Sequence, residues 1–312
     1  AEARDSSNYL LYTYTSLHIT FLATWFAMAV QDHILGVPVE NWTPRQRPFQ
    51  AIHKQYAEAM QTDGPWPRLS GWADVLLRGK SSMLAPLHPG YAEELFEAYT
   101  QSVEGSTTST ADVWRFLPVG PFENVNDFRT FLTSLLRSAT TEDWSRFFMV
   151  VLAGNDPATA KPVGFISYLR IFPNEGSIET GFVTLSPSLQ RTTTATEVHY
   201  LMMKHVFELG YRRYEWKCHA GNLHSRRAAQ RLGFSFEGIH RNALIQKGRN
   251  RDTAWFSVID SEWPALQAAY RAFLDEANFD ETGRQKASLS SLTKPLLSAL
   301  DPGLSEDETQ KQ

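Results

Sequence analysis

The span from Ser177 to Gly238 constrains this chain most, because it reads in one order only: strand, loop, helix, strand, helix. Ile178, Thr180, Phe182 and Thr184 alternate loosely with Glu179, Gly181, Val183 and Leu185, the pattern of a short buried strand. The loop from Ser186 to Thr194 is made of small and hydroxylated residues, which leave backbone N–H groups free where the next helix begins. That helix places Ala195, Val198, Leu201, Met202, His205, Val206 and Leu209 on one face. An open helix N-terminus beside a basic residue, here Arg191, suits a phosphate or pyrophosphate. Tyr211 to Cys218 is the second strand, and Asn222 to Leu232 a helix stopped by Gly233.

Around this span the chain divides into four parts. Residues 1–30 form an apolar extension, 31–78 an arm rich in Pro and Trp, 79–278 a globular domain and 279–312 a flexible polar tail. Between Asn8 and Gln31 no residue is charged, and Leu10 to Val30 is long enough to span a bilayer, although Thr, Ser and His dilute it. A membrane anchor, a secretory signal ending near Ala27-Met28-Ala29 and an upstream extension of the gene model all remain open for this end. The arm holds one weakly amphipathic helix, Gln50 to Gln61. Within the domain, Ser82 to Leu87 reads as a first strand, Gly90 to Gln101 and Asn126 to Thr140 as helices, and Glu104 to Asp112 as a loop. Phe147 to Ala153 and Pro162 to Ile171 read as a hairpin across Gly154-Asn155-Asp156-Pro157. A strand from Ala254 to Ile259 and a helix from Glu262 to Ala277 follow.

Composition excludes several classes. With 30 Lys and Arg against 34 Asp and Glu, the net charge of −4 supplies no basic excess for binding nucleic acid in general. The single cysteine, Cys218, rules out an intrachain disulfide and fits a reducing compartment. The nine histidines show no His-Glu-x-x-His spacing and no pairing with cysteine, so a catalytic zinc or other metal is not expected.

The ordered set Gln190-Arg191-Thr192-Thr193-Thr194-Ala195, Asn222-x-x-Ser225, Leu232-Gly233-Phe234 and Glu237-Gly238 resembles the GNAT acetyltransferases. Within that family it is most similar to the RimJ/RimL-like branch of ribosomal-protein N-terminal acetyltransferases. The resemblance covers about Gly79 to Trp263 and includes Phe116 to Phe122, Gly164 to Tyr168 and Lys247 to Asp252. It implies an α/β (α+β) fold, the acyl-CoA N-acyltransferase architecture, with a mixed, mostly antiparallel sheet flanked by helices. It also implies transfer of acetyl from acetyl-CoA to a primary amine, in a metabolite, an amino acid or a protein N-terminus. A working place in the cytoplasm is expected, or the membrane or secretory route if residues 1–30 act.

The resemblance also assigns roles. Gln190, Arg191, Thr192, Thr193, Thr194, Ala195 and Thr196 would cradle the CoA pyrophosphate, although Thr193 stands where the family has its middle glycine. The plainer alternative is a Thr-rich helix cap. Asn222 would bond the pantetheine arm and Ser225 protonate the leaving thiolate, since Ala229 occupies the position of the tyrosine acid found in other members. Backbone amides near Val183 and Leu185 would hold the oxyanion. Arg226 and Arg227 would reach the 3′-phosphate, or else be exposed arginines of the helix. Glu179 is the candidate base, or else a structural partner of an arginine such as Arg170. Cys218 is a nucleophile only under a two-step mechanism, and otherwise core packing. Phe116, Tyr168 and Trp216 are expected at the acceptor side, with Trp114, Phe122 and Trp255 as further aromatic candidates. The departures at Thr193 and Ala229 leave a second class open: a domain of this fold that binds an acyl-CoA or amine ligand as a sensor without turnover.

Overall fold

The computed structural model describes residues 77–101, 110–141, 146–156 and 159–304, all within the second, Pro44–Gln312, of two units into which the chain divides. The apolar extension, nearly all of the Pro/Trp-rich arm with its helix, and residues 305–312 lie outside the described residues. Among the described residues eight strands form one sheet: β1 (Leu77–Arg78), β2 (Ser82–Pro86), β3 (Phe147–Ala153), β4 (Lys161–Phe172), β5 (Ser177–Leu185), β6 (Arg213–His219), β7 (Ser235–Gln246) and β8 (Arg249–Ile259). Their order across the sheet is β1-β2-β3-β4-β5-β6-β8-β7. Each of these pairings is antiparallel except β5 with β6. That pair is joined by α4 (Thr193–Glu208), as a parallel pair requires a long crossover. The other helices are α1 (Ala92–Thr100), α2 (Thr110–Trp114), α3 (Val125–Thr141), α5 (Leu223–Arg231), α6 (Trp263–Leu274) and α7 (Leu289–Thr293). This is the mixed, mostly antiparallel α/β fold expected from the sequence.

Alternation along the strands feeds two cores, one on each face of the sheet. On one face Ile178, Tyr214, Trp216, Cys218 and Phe256 pack against Val198, Met202 and Val206 of α4 and Leu266 and Tyr270 of α6. On the other, Met83, Val150 and Phe165 meet Leu95 and Tyr99 of α1, Trp114 of α2 and Phe128 and Leu132 of α3. This second core stops at the middle of the sheet. Beyond it the same face of β5, β6 and β8 carries Glu179, Glu215, Lys217 and Trp255, and that change from apolar to charged marks the functional side.

A buried carboxylate ties the edge of the sheet to α4. Glu197 accepts the Lys80 N–H at 2.7 Å, the Ser81 N–H and hydroxyl at 2.9 Å each, and the Ser82 hydroxyl at 2.7 Å. Gly79 is required beside it, because a Cβ there would lie 2.4 Å from the Glu197 carboxyl carbon. Truncation in Glu197→Ala leaves these donors unmatched, and a loss of about 2–3 kcal/mol in urea unfolding is expected. A loss below about 0.5 kcal/mol would show that the turn re-solvates freely.

The expected flexible tail is corrected as far as Leu304. Leu289 and the Thr293 side chain are fully buried, Phe236 N–H donates to Ala299 O, and Ser298 N–H donates to Ser235 Oγ. Composition misleads here because the tail is held at a few separate points rather than by an apolar stripe. β7 is likewise longer than any signal in its pattern, being exposed along most of its length. It is held by pairing with β8 across Lys247-Gly248, both at positive φ (49° and 71°), the backbone that tight hairpins favour.

Candidate active site

The parallel pair β5–β6 runs only from Ser177 opposite Arg213 to Thr180 opposite Trp216, although β5 continues to Leu185 and β6 to His219. The two strands diverge beyond Thr180. The register of β5 on β4 slips between Phe165 and Ser167, where Phe182 adopts a φ of 49°. Such a bulge bends and twists a strand. The unfavourable φ of a bulky residue is offset by packing: the Phe182 ring stacks 5.5 Å from Phe165 and sits 5.7 Å from Phe148. Val183 and Leu185 lie on the diverging stretch, and the slot opens toward the N-terminus of α4.

At that end the loop is closed by its own bonds. Leu189 and Gln190 N–H groups donate to Ser186 O, and Gln190 Nε2 donates to Leu185 O at 2.9 Å. Arg191, at φ 63°, turns the chain into the helix and remains exposed. Thr192 is the N-cap, its hydroxyl accepting Ala195 N–H at 3.0 Å and its carbonyl accepting Thr196 N–H. Thr193 and Thr194 are therefore the first helical residues, with amides at the open end of the dipole. Ala195 and Thr196 do not share that position: both are buried, and the Thr196 hydroxyl receives Arg231 Nη2 at 2.8 Å. The Thr-rich segment is thus a helix cap and an open N-terminus at once.

On the other flank, Asn222 caps α5 by accepting Ser225 N–H at 3.1 Å. Ser225 Oγ accepts the indole N–H of Trp216 at 3.1 Å, and its own hydroxyl is directed toward the neighbouring Cys218 thiol. Cys218 lies on the same side. Burial pushes its thiol up to about 11, with Ser225 pulling the other way, so it is not a ready nucleophile. Arg226 departs from expectation. It is buried with its Nε and Nη2 on the Asp301 carboxylate (2.7 and 2.5 Å) and Nη1 on Ala220 O, so each of its nitrogens is engaged and its charge is already paired.

The opposite face of the slot is charged. Glu179 is buried, with Lys217 Nζ 2.5 Å and Arg170 Nε 3.6 Å from its Oε2. Lys217 is thus the close partner of Oε2, as an ion pair whose hydrogen-bond angle is poor. Burial raises the Glu179 pKa above the ordinary carboxylate value, while Lys217 and Arg170 oppose the shift and Glu215 adds to it. Glu215 is shared by Arg213 at 2.7 Å and Arg170 at 3.8 Å. Trp255 forms the middle of this floor, 4.3 Å from Lys217 Nζ and stacked 4.7 Å from His240. Phe116, 5.3 Å from the His219 ring, stands at the rim, where Gln246 Nε2 donates to its carbonyl.

Of the three expected acceptor-side residues, only Phe116 is on this face. Tyr168 is wholly buried with its hydroxyl on Met202 O, and Trp216 faces the α4 core. Trp114 and Phe122 belong to the second core. Strand parity decides this: Lys217, not Trp216, stands opposite Trp255, so the two tryptophans point to opposite faces. Sequence reasoning does not single out Lys217, Glu215, Arg251 or Thr253. Glu215 and Lys217 have one signal, the polar alternation of Arg213, Glu215, Lys217 and His219 along their strand, while Arg251 lies in the Lys247 to Asp252 stretch of the resemblance without a role of its own.

Residues 83–235 match the acetyltransferase (GNAT) domain family. No curated protein matches the chain. A solved GCN5-related N-acetyltransferase from Brucella melitensis is similar at 39% identity, covering 82% of this chain and 100% of its own, with a TM-score of 0.65. A probable acetyltransferase of the GNAT family from Chromobacterium violaceum is 33% identical over 74% of this chain and 100% of its own, at a TM-score of 0.53. Among the described residues no group of His, Cys, Asp and Glu is placed to hold a metal ion, and no helix is long and apolar enough to cross a membrane. With its diverging parallel strands, its open helix N-terminus and these relatives, the chain belongs to the GNAT acetyltransferase family.

Proposed function

We propose that this protein transfers acetyl from acetyl-CoA to a primary amine by direct attack within a ternary complex. The observation that carries the reading is the slot between β5 and β6, with an anion-attracting helix end at its mouth and Glu179 and Ser225 on its two sides. The amides of Thr193 and Thr194, with Arg191, hold the pyrophosphate. Asn222 orients the pantetheine arm, and backbone N–H groups at Val183 or Leu185 receive the oxyanion. Glu179 takes a proton from the ammonium form, directly or through water. The amine lone pair then forms the C–N bond and the C–S bond breaks; Ser225 gives its proton to the leaving thiolate and regains one from the nitrogen's surplus proton, directly or through water, leaving an amide, CoA and a neutral serine. Arg226, Ala195, Thr196, Tyr168 and Trp216 have no direct part. The pair Asn222 and Ser225 supports placing the chain in the RimJ/RimL-like branch, and the lone cysteine supports work in the cytoplasm.

Calorimetry with acetyl-CoA, followed by CoA release across amines and N-terminal peptides, tests the reading. Micromolar binding with release from one amine class is expected, and Ser225→Ala should lower kcat by about tenfold or more. Binding without release from any amine would favour the sensor alternative; absence of binding would reduce the Thr-rich segment to a cap.

A further inference from the structure

Two arginines on neighbouring elements, Arg226 buried and Arg251 half-buried, use their guanidinium edges differently. Arg226 is filled: Nη1 donates to a carbonyl, and the Nε–Nη2 edge grips the Asp301 carboxylate as a two-pronged fork. Arg251, on β8, has Nη1 on Gln246 Oε1 at 2.5 Å, but its Nε is buried without a partner and its Nη2 makes no bond among the described residues. The edge that takes a carboxylate at Arg226 is therefore empty at Arg251.

Its surroundings point to the same ligand chemistry. Arg251, Thr253 and Trp255 alternate along β8 and so share a face with Glu179 and Lys217. Thr253 Oγ1 and Trp255 Nε1 are also buried without partners, and Thr253 is only 5% exposed. Unmatched buried donors cost stability unless something completes them. The charges give the sign. Glu179 is paired with Lys217 and Arg170, Glu215 with Arg213 and Arg170, and Glu237 with Arg213, whereas Arg251 has no carboxylate within ion-pair distance among the described residues and feels Glu179 only across the site. The Arg251 charge is close enough to be felt at His219, whose pKa burial lowers first and Arg251 lowers further. His219 in turn lies against Phe116 at the rim.

We infer that the acceptor carries a carboxylate as well as its amine, and that Arg251 binds that carboxylate through its free Nε–Nη2 edge, with Thr253 and Trp255 donating beside it. This rests on the proposed transferase reading and narrows it to free amino acids and their like. A protein N-terminus, whose first carbonyl is a neutral amide, leaves Arg251 unpaired.

The test uses matched pairs: free amino acids and their carboxamides, titrated by intrinsic tryptophan fluorescence into the full chain loaded with CoA. CoA release from acetyl-CoA is followed with the same compounds. At least one acid is expected to bind about tenfold or more tighter than its amide. Arg251→Gln should abolish that preference while the variant still binds CoA, and Arg251→Lys, which keeps the charge but not the fork, should retain part of it. If no acid outbinds its amide, or if Arg251→Gln keeps the preference, the inference is overturned. Release from amides and peptides as efficient as from acids would overturn it too, while leaving the transferase reading intact. Tight, Arg251-dependent binding of acids without any CoA release would do the reverse, supporting the carboxylate site and removing the transferase reading.

Discussion

Glu179→Gln is expected to lower kcat/KM by about 10²- to 10⁴-fold at neutral pH, the range typical of a lost general base. Glu179 is isosteric with Gln, so the loss reports on proton transfer more than on shape. The pH profile separates the two roles open to this residue. Burial raises the Glu179 pKa, and a base works only when deprotonated. The rate should therefore rise with pH through a value above the ordinary carboxylate range. The substrate's own ammonium group adds an acid limb common to both proteins, and the difference between the two profiles isolates Glu179. A purely structural carboxylate would behave otherwise. Lys217, only 2.5 Å away, would lose its counter-ion, and the variant would melt lower while its pH profile stayed that of the parent. An unshifted profile with a normal turnover number would end the assignment.

The largest stability effect is expected at Asp301, which takes no part in the chemistry. Its side chain is 0% exposed and that of its partner Arg226 is 8% exposed. Asp301→Ala leaves a buried guanidinium without its anion, and breaking such a pair costs about 3–5 kcal/mol. In a domain of this size that lowers Tm by roughly 6–20 °C. The double replacement Arg226→Met with Asp301→Leu should recover most of the loss, because the destabilisation comes from the stranded charge rather than from the missing bond. The effect should also reach the site. Arg226 follows Ser225 directly on α5, so loosening the clamp frees the helix that carries Asn222 and Ser225, and acetyl-CoA affinity should fall with stability. Thermal melting by circular dichroism and calorimetry of the same variants measure both. A Tm within about 2 °C of the parent would show the clamp to be solvated in solution.

What the amino acids alone determine here is local. The cap at the start of α4, the stop at Gly233, the 3.6-residue spacing of α4 and the hairpin between β3 and β4 are each decided by neighbours within a few positions. That is why the strand–loop–helix–strand–helix order, and with it the family, is legible in the chain itself. Four other features depend on contacts between distant segments. The slot exists because a bulge at Phe182 is stabilised by rings from β3 and β4. Arg226 is taken from the phosphate role because an aspartate 75 residues away desolvates with it. Tyr168 and Trp216 turn inward and Trp255 outward because strand register, not residue type, assigns a face. Arg251 shows an unfilled edge only once every neighbour that might fill it has its place. Local rules settle which elements form; pairing register and the completion of buried charges settle which side chains are left facing a substrate.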